Sequence, residues 1–585
     1  MRWSCTDANV GGGRPLGFRY IGRVSETKPI LILGAGINGA ALARELALSG
    51  VSVCVVDRDD LSSGTTARSS RLIHGGLRYL EYGEFDLVKE SLEERTRLLR
   101  LAPQFVRPLR IYIPVTSRFG GLWASARRFL GFEGRRSAIT EPSRSVWLVK
   151  LGLRFYDAYA RDPTLPRHRV HRLDDPAAPT VDRNHYGWMC SYYDAQIRFP
   201  ERFVVALFED ARRAAAERGT SFELYTYHEA RRHGGEVELR RRDGETPARE
   251  PVRVLEPAAI INATGAWVDQ TLRQLDVASR RLIGGTQGSH FLTYHQGLRH
   301  ALGGQAIYGE AIDGRPIFML PFGSATLVGT TDISYEGDPR DATASPEELQ
   351  YLIDSVNYVV PALRLSIDEV DCHYSGVRPL PSTQGQTAAS ITRRHWLEYH
   401  AACVIPVFSV IGGKLTTCRS LAEEAASEIL GHLEQQVIAD SRERSIPGGE
   451  NYPADDDALE TMTHSLAERF KLSLDQVSCL WALFGTRSSD VLEASGNMAD
   501  GDLQGTHLPR SVVRWIIRHE WVETIPDLVE RRLMLIFHHG LTIGALGELA
   551  DLLVEAGKLE TSETKIAVQS AAQRLRERFG KRLLP

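Results

Sequence analysis

The stretch KPILILGAGINGAALARELALSGVSVCVVD, Lys28 to Asp57, restricts the possible fold more than any other part of the chain. Ile30 to Leu33 is a short apolar run of buried-strand type, and Ala40 to Leu48 is a run of strong helix formers that stops at Gly50. A second apolar run, VSVCVVD, comes next. The pattern predicts strand, helix, strand, with Gly34, Gly36 and Gly39 spelling G-x-G-x-x-G at the first turn and Asn38 inside it. Gly34 permits the tight turn and Gly36 lets backbone approach a pyrophosphate. Gly39 lets the helix lie against the sheet with its first amides toward the phosphates. Asp57 ends the second strand 21 residues after Gly36, where a carboxylate accepts ribose hydroxyls. Incidental glycines in an αβ turn would not bring all these features into register, so the reading is an α/β Rossmann-like dinucleotide domain. The terminal acid argues against a 2′-phosphate and serves NAD and FAD alike.

The segment after Asp57 separates those two. RDDLSSGTTARSSRLIHGGLRYLE is not an ordinary crossover. Its hydroxyls and glycines (Ser62, Ser63, Gly64, Thr65, Thr66, Ser69, Ser70) suit a loop running along an extended cofactor, and Gly75 and Gly76, after His74, suit close passage of a flat ring. NATGAW, with Thr264 and Gly265, ends a later apolar strand in another small-residue turn. GGKLTT, with Gly413, Lys414, Leu415 and Thr416, opens a helix near Thr416 or Thr417, a second place where a helix start faces a possible anion. The dinucleotide domain is therefore expected to be discontinuous.

With 585 residues the chain is too long for one core. Helical spacing covers FDLVKESLEERTRLLRLAP and Pro200 to Glu217, and RPLRIYIPVTSR (107 to 118) reads as a strand. A hairpin is expected around Gly244. Between 282 and 335 short strands suggest a mixed or antiparallel sheet over the cofactor, although Pro316 and Pro321 disfavour a central antiparallel strand throughout. Ser345 and Glu348 flank a proline at the first helical position, a capping box. From about 455 onward the pattern is helical.

The balance of 70 basic and 74 acidic residues, net −4, gives no pull toward nucleic acid. Seven scattered cysteines without C-x-x-C argue against disulfides and against zinc or iron–sulfur sites, so no metal is expected and a reducing compartment is. No apolar run reaches the roughly 18 residues that span a bilayer. The first twenty or so residues read as a flexible extension. FGGLWASARRFLGFEGRR (119 to 136) is basic and amphipathic and could lie on an anionic membrane surface, although a helix packed on the domain with its arginines in water is the plainer reading.

The motifs GAGINGAALARELA, DLSSGTTARSSRLIHGGLRYLE, NATGAWVD, QGSH, PIFMLPF, LVGTTD, YSGVRPLP, ITRRH and GGKLTT occur in order, with VVRWIIRHEWVETIPDLVERRLMLIF after them. Together, over about 29 to 555, they resemble the flavin-dependent glycerol-3-phosphate dehydrogenases. That resemblance implies bound FAD and oxidation of sn-glycerol 3-phosphate to dihydroxyacetone phosphate by hydride transfer from C2. It also implies a quinone as electron acceptor, or oxygen in oxidase relatives. It places Arg78, His290, Arg378, Arg393 and Lys414 at the substrate, with Thr416 or Thr417 near the flavin. A desolvated phosphate does need several fixed cations, and arginine offers a rigid fork. Lys414 could also stabilise negative charge on the reduced flavin. His290 is the candidate base, unless an arginine polarises the reacting oxygen and His290 only orients the substrate.

The expected division is an extension (1–28), FAD domain (29–110), substrate or cap region (111–200), FAD domain resumed (201–282), substrate domain (283–375), a return segment with GGKLTT (376–445) and a helical C-terminal domain (446–585). A cytoplasmic location with peripheral contact at the inner face of the membrane is expected, and homo-oligomer formation is left open. Two departures from the family stand out. Ala35 replaces a middle glycine, and QIRFPERF comes after SYYDA where the family tends to carry DDAR, which remodels either a wall near the substrate or one helix face.

Overall fold

The computed structural model describes residues 28–584 except 81–82, 117–145, 161, 163, 244–245, 249, 383–393, 402 and 497–499. The basic segment 119–136, Arg393 and the glycine of the expected hairpin lie outside the described residues.

The glycine-turn strands form the centre of a six-stranded sheet, in the order Trp396–His400, Val407–Ile411, Ala259–Asn262, Ile30–Leu33, Val53–Val56 and Phe222–Tyr225. Five strands are parallel and only the Trp396–His400 edge is antiparallel. Each apolar four-residue run in the centre is buried throughout, as a parallel sheet covered on both faces requires. Helix Ile37–Leu48 begins three residues earlier than its propensity suggests, directly after Gly36. It packs with Pro200–Arg218 and Cys418–His432 on one face. Pro200–Arg218 ends at Gly219 in the left-handed region, φ 70°. Four stretches of chain far apart in sequence thus meet in one sheet, so this domain is discontinuous.

A ten-stranded, largely antiparallel sheet forms the second layer. Its two long strands, Ile283–Thr293 and Val370–Pro381, pair along almost their whole length, with Thr286 opposite Arg378, Gly288 opposite Gly376 and His290 opposite Tyr374. Pro316 and Pro321 disfavour a strand that is paired on both sides throughout, and the pairing follows that expectation. Pro316–Phe322 lies between two antiparallel neighbours, but only Phe318 and Met319 pair on both sides. Both prolines fall in singly paired stretches, where a missing N–H breaks no ladder on the open side. The Ser345–Glu348 capping box caps helix Pro346–Val359.

The C-terminal region is a group of helices, among them Asp456–Phe470, Leu474–Phe484, Arg510–His519, Ile543–Glu555 and Thr564–Phe579. Their apolar faces share a core with the ten-stranded sheet. Buried charges fasten them to the loop after Val53–Val56. Asp60, 1% exposed, accepts from Arg531 Nε at 2.5 Å and from Arg532 Nη2 at 2.7 Å. Glu530 accepts from Arg574 at 2.6 Å and lies 3.7 Å from Arg68. Burial alone would raise the Glu530 carboxyl, but Arg574 and Arg531 outweigh it and hold it at about 2.

Removing Asp60 leaves two buried guanidiniums short of a carboxylate, with Arg532 left only carbonyl oxygens to donate to. Asp60→Ala should destabilise the full chain by about 3–5 kcal/mol, read from urea or thermal unfolding, while Glu256→Ala in the exposed pair with Lys28 should leave it unchanged. Equal effects of the two substitutions would contradict the role given to Asp60.

Candidate functional site

A cleft of about 350 Å³ runs from the first glycine turn to the ten-stranded sheet. Of the residues singled out in the sequence, it is lined by Gly34, Gly36, Asn38, Asp57, Ser63, Thr65, Thr66, His74, Thr264, Gly265, His290, Arg378, Gly413, Lys414, Leu415 and Thr416. Gly39, Gly75 and Gly76 are not on its wall. A Cβ on Gly39 would fall 1.9 Å from the Gly34 carbonyl oxygen, one on Gly75 2.5 Å from the Leu92 side chain, and one on Gly76 2.2 Å from the Tyr79 ring. Glycine is needed at these three positions for packing behind the cleft. Arg78 lies on the short helix Leu77–Leu80, and its side chain and Arg393 lie outside the described residues.

At the nucleotide end, Gly34 takes φ 105°, and a side chain there would meet the Ala263 carbonyl at 2.7 Å. Gly36 brings no capping side chain to helix Ile37–Leu48, and Gly36, Ile37 and Asn38 line the cleft, so the helix start stands on its wall. Thr66 Oγ1 accepts from Ile37 N at 3.1 Å and Thr65 Oγ1 donates to the Val377 carbonyl at 2.8 Å. These hydroxyls tie the loop between the helix start and a substrate-sheet strand. Asp57 accepts from the amides of Ala35 (2.7 Å) and Asp59 (2.9 Å), while burial and the Asp59 charge push it up to about 7. Asn38 Nδ2 donates to the Gly412 carbonyl at 3.2 Å, and its Oδ1 is buried with no hydrogen-bond partner among the described residues. The two glycine turns therefore touch. Bare backbone, a helix start on the cleft wall, an orphaned amide oxygen and a strand-end carboxylate fit an extended dinucleotide such as FAD.

Farther along, Thr416 Oγ1 accepts from His74 N at 3.1 Å, and Lys414 Nζ lies 4.0 Å from the centre of the Tyr79 ring. Burial lowers the His74 pKa, and Lys414 adds to this against Asp194. Thr417 is the N-cap of helix Cys418–His432. Arg394 is exposed and donates to Asp86 at 2.9 Å.

The substrate-sheet end is built on strand alternation. Residues two apart share a face, so Gly288 and His290 lie side by side, as do Gly376 and Arg378. A Cβ on Gly288 would fall 2.1 Å from Arg378 Nη2, and one on Gly329 2.1 Å from His290 Cδ2. The glycines make room for the two functional side chains. Arg378 donates to Asp332 at 2.9 Å, to Thr330 Oγ1 at 2.9 Å and to the Thr331 carbonyl at 3.1 Å. His290 stacks on Tyr374, with ring centroids 5.0 Å apart and planes 23° apart. Burial, then Arg378 and Arg71, pushes its pKa down to about 3, so the ring is neutral.

Several residues of this end escape sequence reasoning. Glu348 is the helix cap, but its carboxylate also accepts from Ser289 Oγ (2.7 Å), Thr331 Oγ1 (2.6 Å) and Gln287 Nε2 (2.8 Å), the neighbours of His290 and of the Arg378 anchors. Asp332 sits inside the LVGTTD motif, where an acid beside two threonines was the available signal. The divergent QIRFPERF places Glu201 in a two-pronged pair with the buried, cleft-lining Arg71, at 2.6 and 3.0 Å. Its Arg202 pairs with Glu520 of the C-terminal helices. That departure thus reaches both the cleft wall and the helical region.

Compared with known proteins, residues 29–417 match the family described as FAD dependent oxidoreductase, and residues 440–564 match the C-terminal domain of alpha-glycerophosphate oxidase. A glycerol-3-phosphate dehydrogenase of Synechocystis is 33% identical over 529 residues, 86% of this chain and 88% of that protein. A D-erythritol 1-phosphate dehydrogenase of Brucella abortus is also 33% identical, over 87% of this chain and 94% of that one. Among solved structures, a glycerol-3-phosphate dehydrogenase from Bacillus halodurans complexed with FAD superposes with a TM-score of 0.67, covering 94% of this chain and 95% of its own at 20% identity, a likeness of fold. With the cleft and two thirds of the chain accounted for in this way, the protein belongs to the FAD-dependent oxidoreductases, in the group related to the glycerol-3-phosphate dehydrogenases and oxidases.

Proposed function

We propose that this flavoenzyme oxidises the secondary hydroxyl of a phosphorylated polyol, sn-glycerol 3-phosphate, to dihydroxyacetone phosphate and passes the electrons to a quinone. The observation that carries the reading is the pairing of a neutral, buried His290 with an anchored Arg378 on facing strands at one end of the cleft. Bound FAD supplies the two-electron, hydride-accepting chemistry. Asp332, Thr330 and Thr331 fix the Arg378 fork before substrate arrives, so binding an anion costs little reorganisation. Asp332 also offsets part of the Arg378 charge, so a phosphate dianion needs further cations. Lys414 in the cleft, with Arg78 and Arg393, takes that part. His290 holds or orients the reacting hydroxyl. The equal identity to an erythritol 1-phosphate enzyme supports a second reading, the same chemistry on a longer phosphorylated polyol.

The quinone reading draws on one surface. Helix Val146–Ala160 exposes Trp147, Leu151 and Phe155, at 49%, 51% and 44%, spaced four residues apart on one face. Lys150, 5.6 Å from the Trp147 ring, and the exposed Arg154 stand among them. Apolar wedge and basic neighbours suit a peripheral seat on anionic lipid, where a quinone is reached. Among the described residues no helix is long and apolar enough to cross a membrane.

Arg378→Ala should keep its FAD but slow flavin reduction by glycerol 3-phosphate by at least about 100-fold, and unchanged turnover would refute the phosphate site. Combined Trp147→Ser, Leu151→Ser and Phe155→Ser should abolish flotation with phosphatidylglycerol vesicles and slow membrane-quinone reduction, while turnover with a soluble dye stays unchanged. Undiminished flotation would remove this helix from the membrane reading.

A further inference from the structure

The imidazole of His290 lines the cleft but presents little surface to it. Its exposure is 2%, and Tyr374 on one side and Gly329 on the other hold the ring in place. Ser70 Oγ lies 2.8 Å from His290 Nε2, and Ser70, half-buried, lines the same cleft with more of its surface exposed. The other ring nitrogen, Nδ1, is buried and has no hydrogen-bond partner among the described residues. The serine is held as firmly as the histidine. Tyr374 Oη donates to the carbonyl of Ser69 at 2.9 Å, and Arg71 on the other side is forked onto Glu201. A packed ring of this kind cannot swing outward without displacing its neighbours. Nε2 is engaged by the Ser70 hydroxyl, which gives it a hydrogen-bonded path toward the cleft.

We propose that Ser70 is a catalytic residue that relays the proton of the substrate's reacting hydroxyl to His290. This role rests on the proposed oxidation of an alcohol at the site. In the step, the C2–H bond breaks and its hydrogen leaves with both electrons to the flavin oxidant, while the C2–O bond becomes a carbonyl. The hydroxyl proton passes to Ser70 Oγ as the proton of Ser70 passes to Nε2. Ser70 ends as it began, His290 gains one proton, and the alcohol has lost one proton, one hydrogen nucleus and two electrons. A hydroxyl that gains and gives a proton in one motion needs no ionisation of its own near neutral pH. Arg378 and Arg71 both help to keep the resting ring neutral. A phosphate dianion paired with Arg378 cancels one of these influences, so the basicity of His290 rises as the substrate arrives.

The test uses Ser70→Thr and Ser70→Val, which match in shape and differ in the hydroxyl. Flavin reduction is monitored anaerobically by stopped flow with glycerol 3-phosphate, erythritol 1-phosphate, glycerol and lactate in light and heavy water. Binding of dihydroxyacetone phosphate is read separately from its perturbation of the flavin spectrum. The relay predicts that Ser70→Val is slower than Ser70→Thr by about 50-fold or more, with product affinity alike and the solvent isotope effect altered only in the valine variant. Equal rates and equal isotope effects in the two would overturn it. If another alcohol, but not glycerol 3-phosphate, reduces the wild-type flavin, the proposed substrate falls and the relay is judged on that alcohol. If no alcohol does, both fall.

Discussion

The antiparallel register between Ile283–Thr293 and Val370–Pro381 holds the functional end of this molecule together. His290, Gly288, Tyr374, Gly376 and Arg378 share one face only because the pairing sets Gly288 against Gly376. A slip by one residue would turn the histidine and the arginine to opposite sides of the sheet. Glu348 ties the His290 strand to the turn that anchors Arg378, since one carboxylate takes the side chains of Gln287 and Ser289 from the strand and of Thr331 from the turn. With the Ser345 amide as a fourth donor, this buried carboxylate is fully engaged and helps to pin the His290 strand and the Arg378 anchors.

The cofactor end depends on the same close use of space. Asn38 joins the first glycine turn to the second, Thr66 fastens the long hydroxyl-rich loop to the helix start, and Thr65 carries that loop to the strand of Arg378. The loop is then gripped from outside by the C-terminal helices. Arg531 and Arg532 close on Asp60, and Glu530 faces Arg68, whose ring neighbour is Phe579 at 4.4 Å. Ser69, Ser70 and Arg71 lie directly after this grip. The helical region thus sets where the cleft wall stands, although its own residues do not line the cleft.

Local pattern made the cofactor half legible. Strand, helix and strand around Gly34 to Gly39 are short-range features, and the hydroxyl-rich loop and GGKLTT announce exposed backbone by composition. The helical C-terminal pattern and the Ser345–Glu348 cap were legible for the same reason. Partners distant in sequence were not. Nothing near Glu201 indicates that it will neutralise Arg71, 130 positions earlier, and nothing near Glu348 shows that it serves Ser289 as well as its helix. Pro316 and Pro321 showed locally that the strand is not paired on both sides throughout, and double pairing covers only Phe318 and Met319. Glycine needs were visible at Gly75 and Gly76, but their cause is packing against Leu92 and Tyr79.

All of this turns on an extended flavin whose reactive end meets a cationic pocket containing a neutral histidine. Titration of the purified yellow protein with glycerol 3-phosphate in the absence of oxygen tests it most directly. Stoichiometric loss of the visible flavin band, with dihydroxyacetone phosphate formed in equal amount, is the predicted result. A colourless protein that takes up no FAD, or a flavin that stays oxidised with every phosphorylated polyol supplied, would contradict the account.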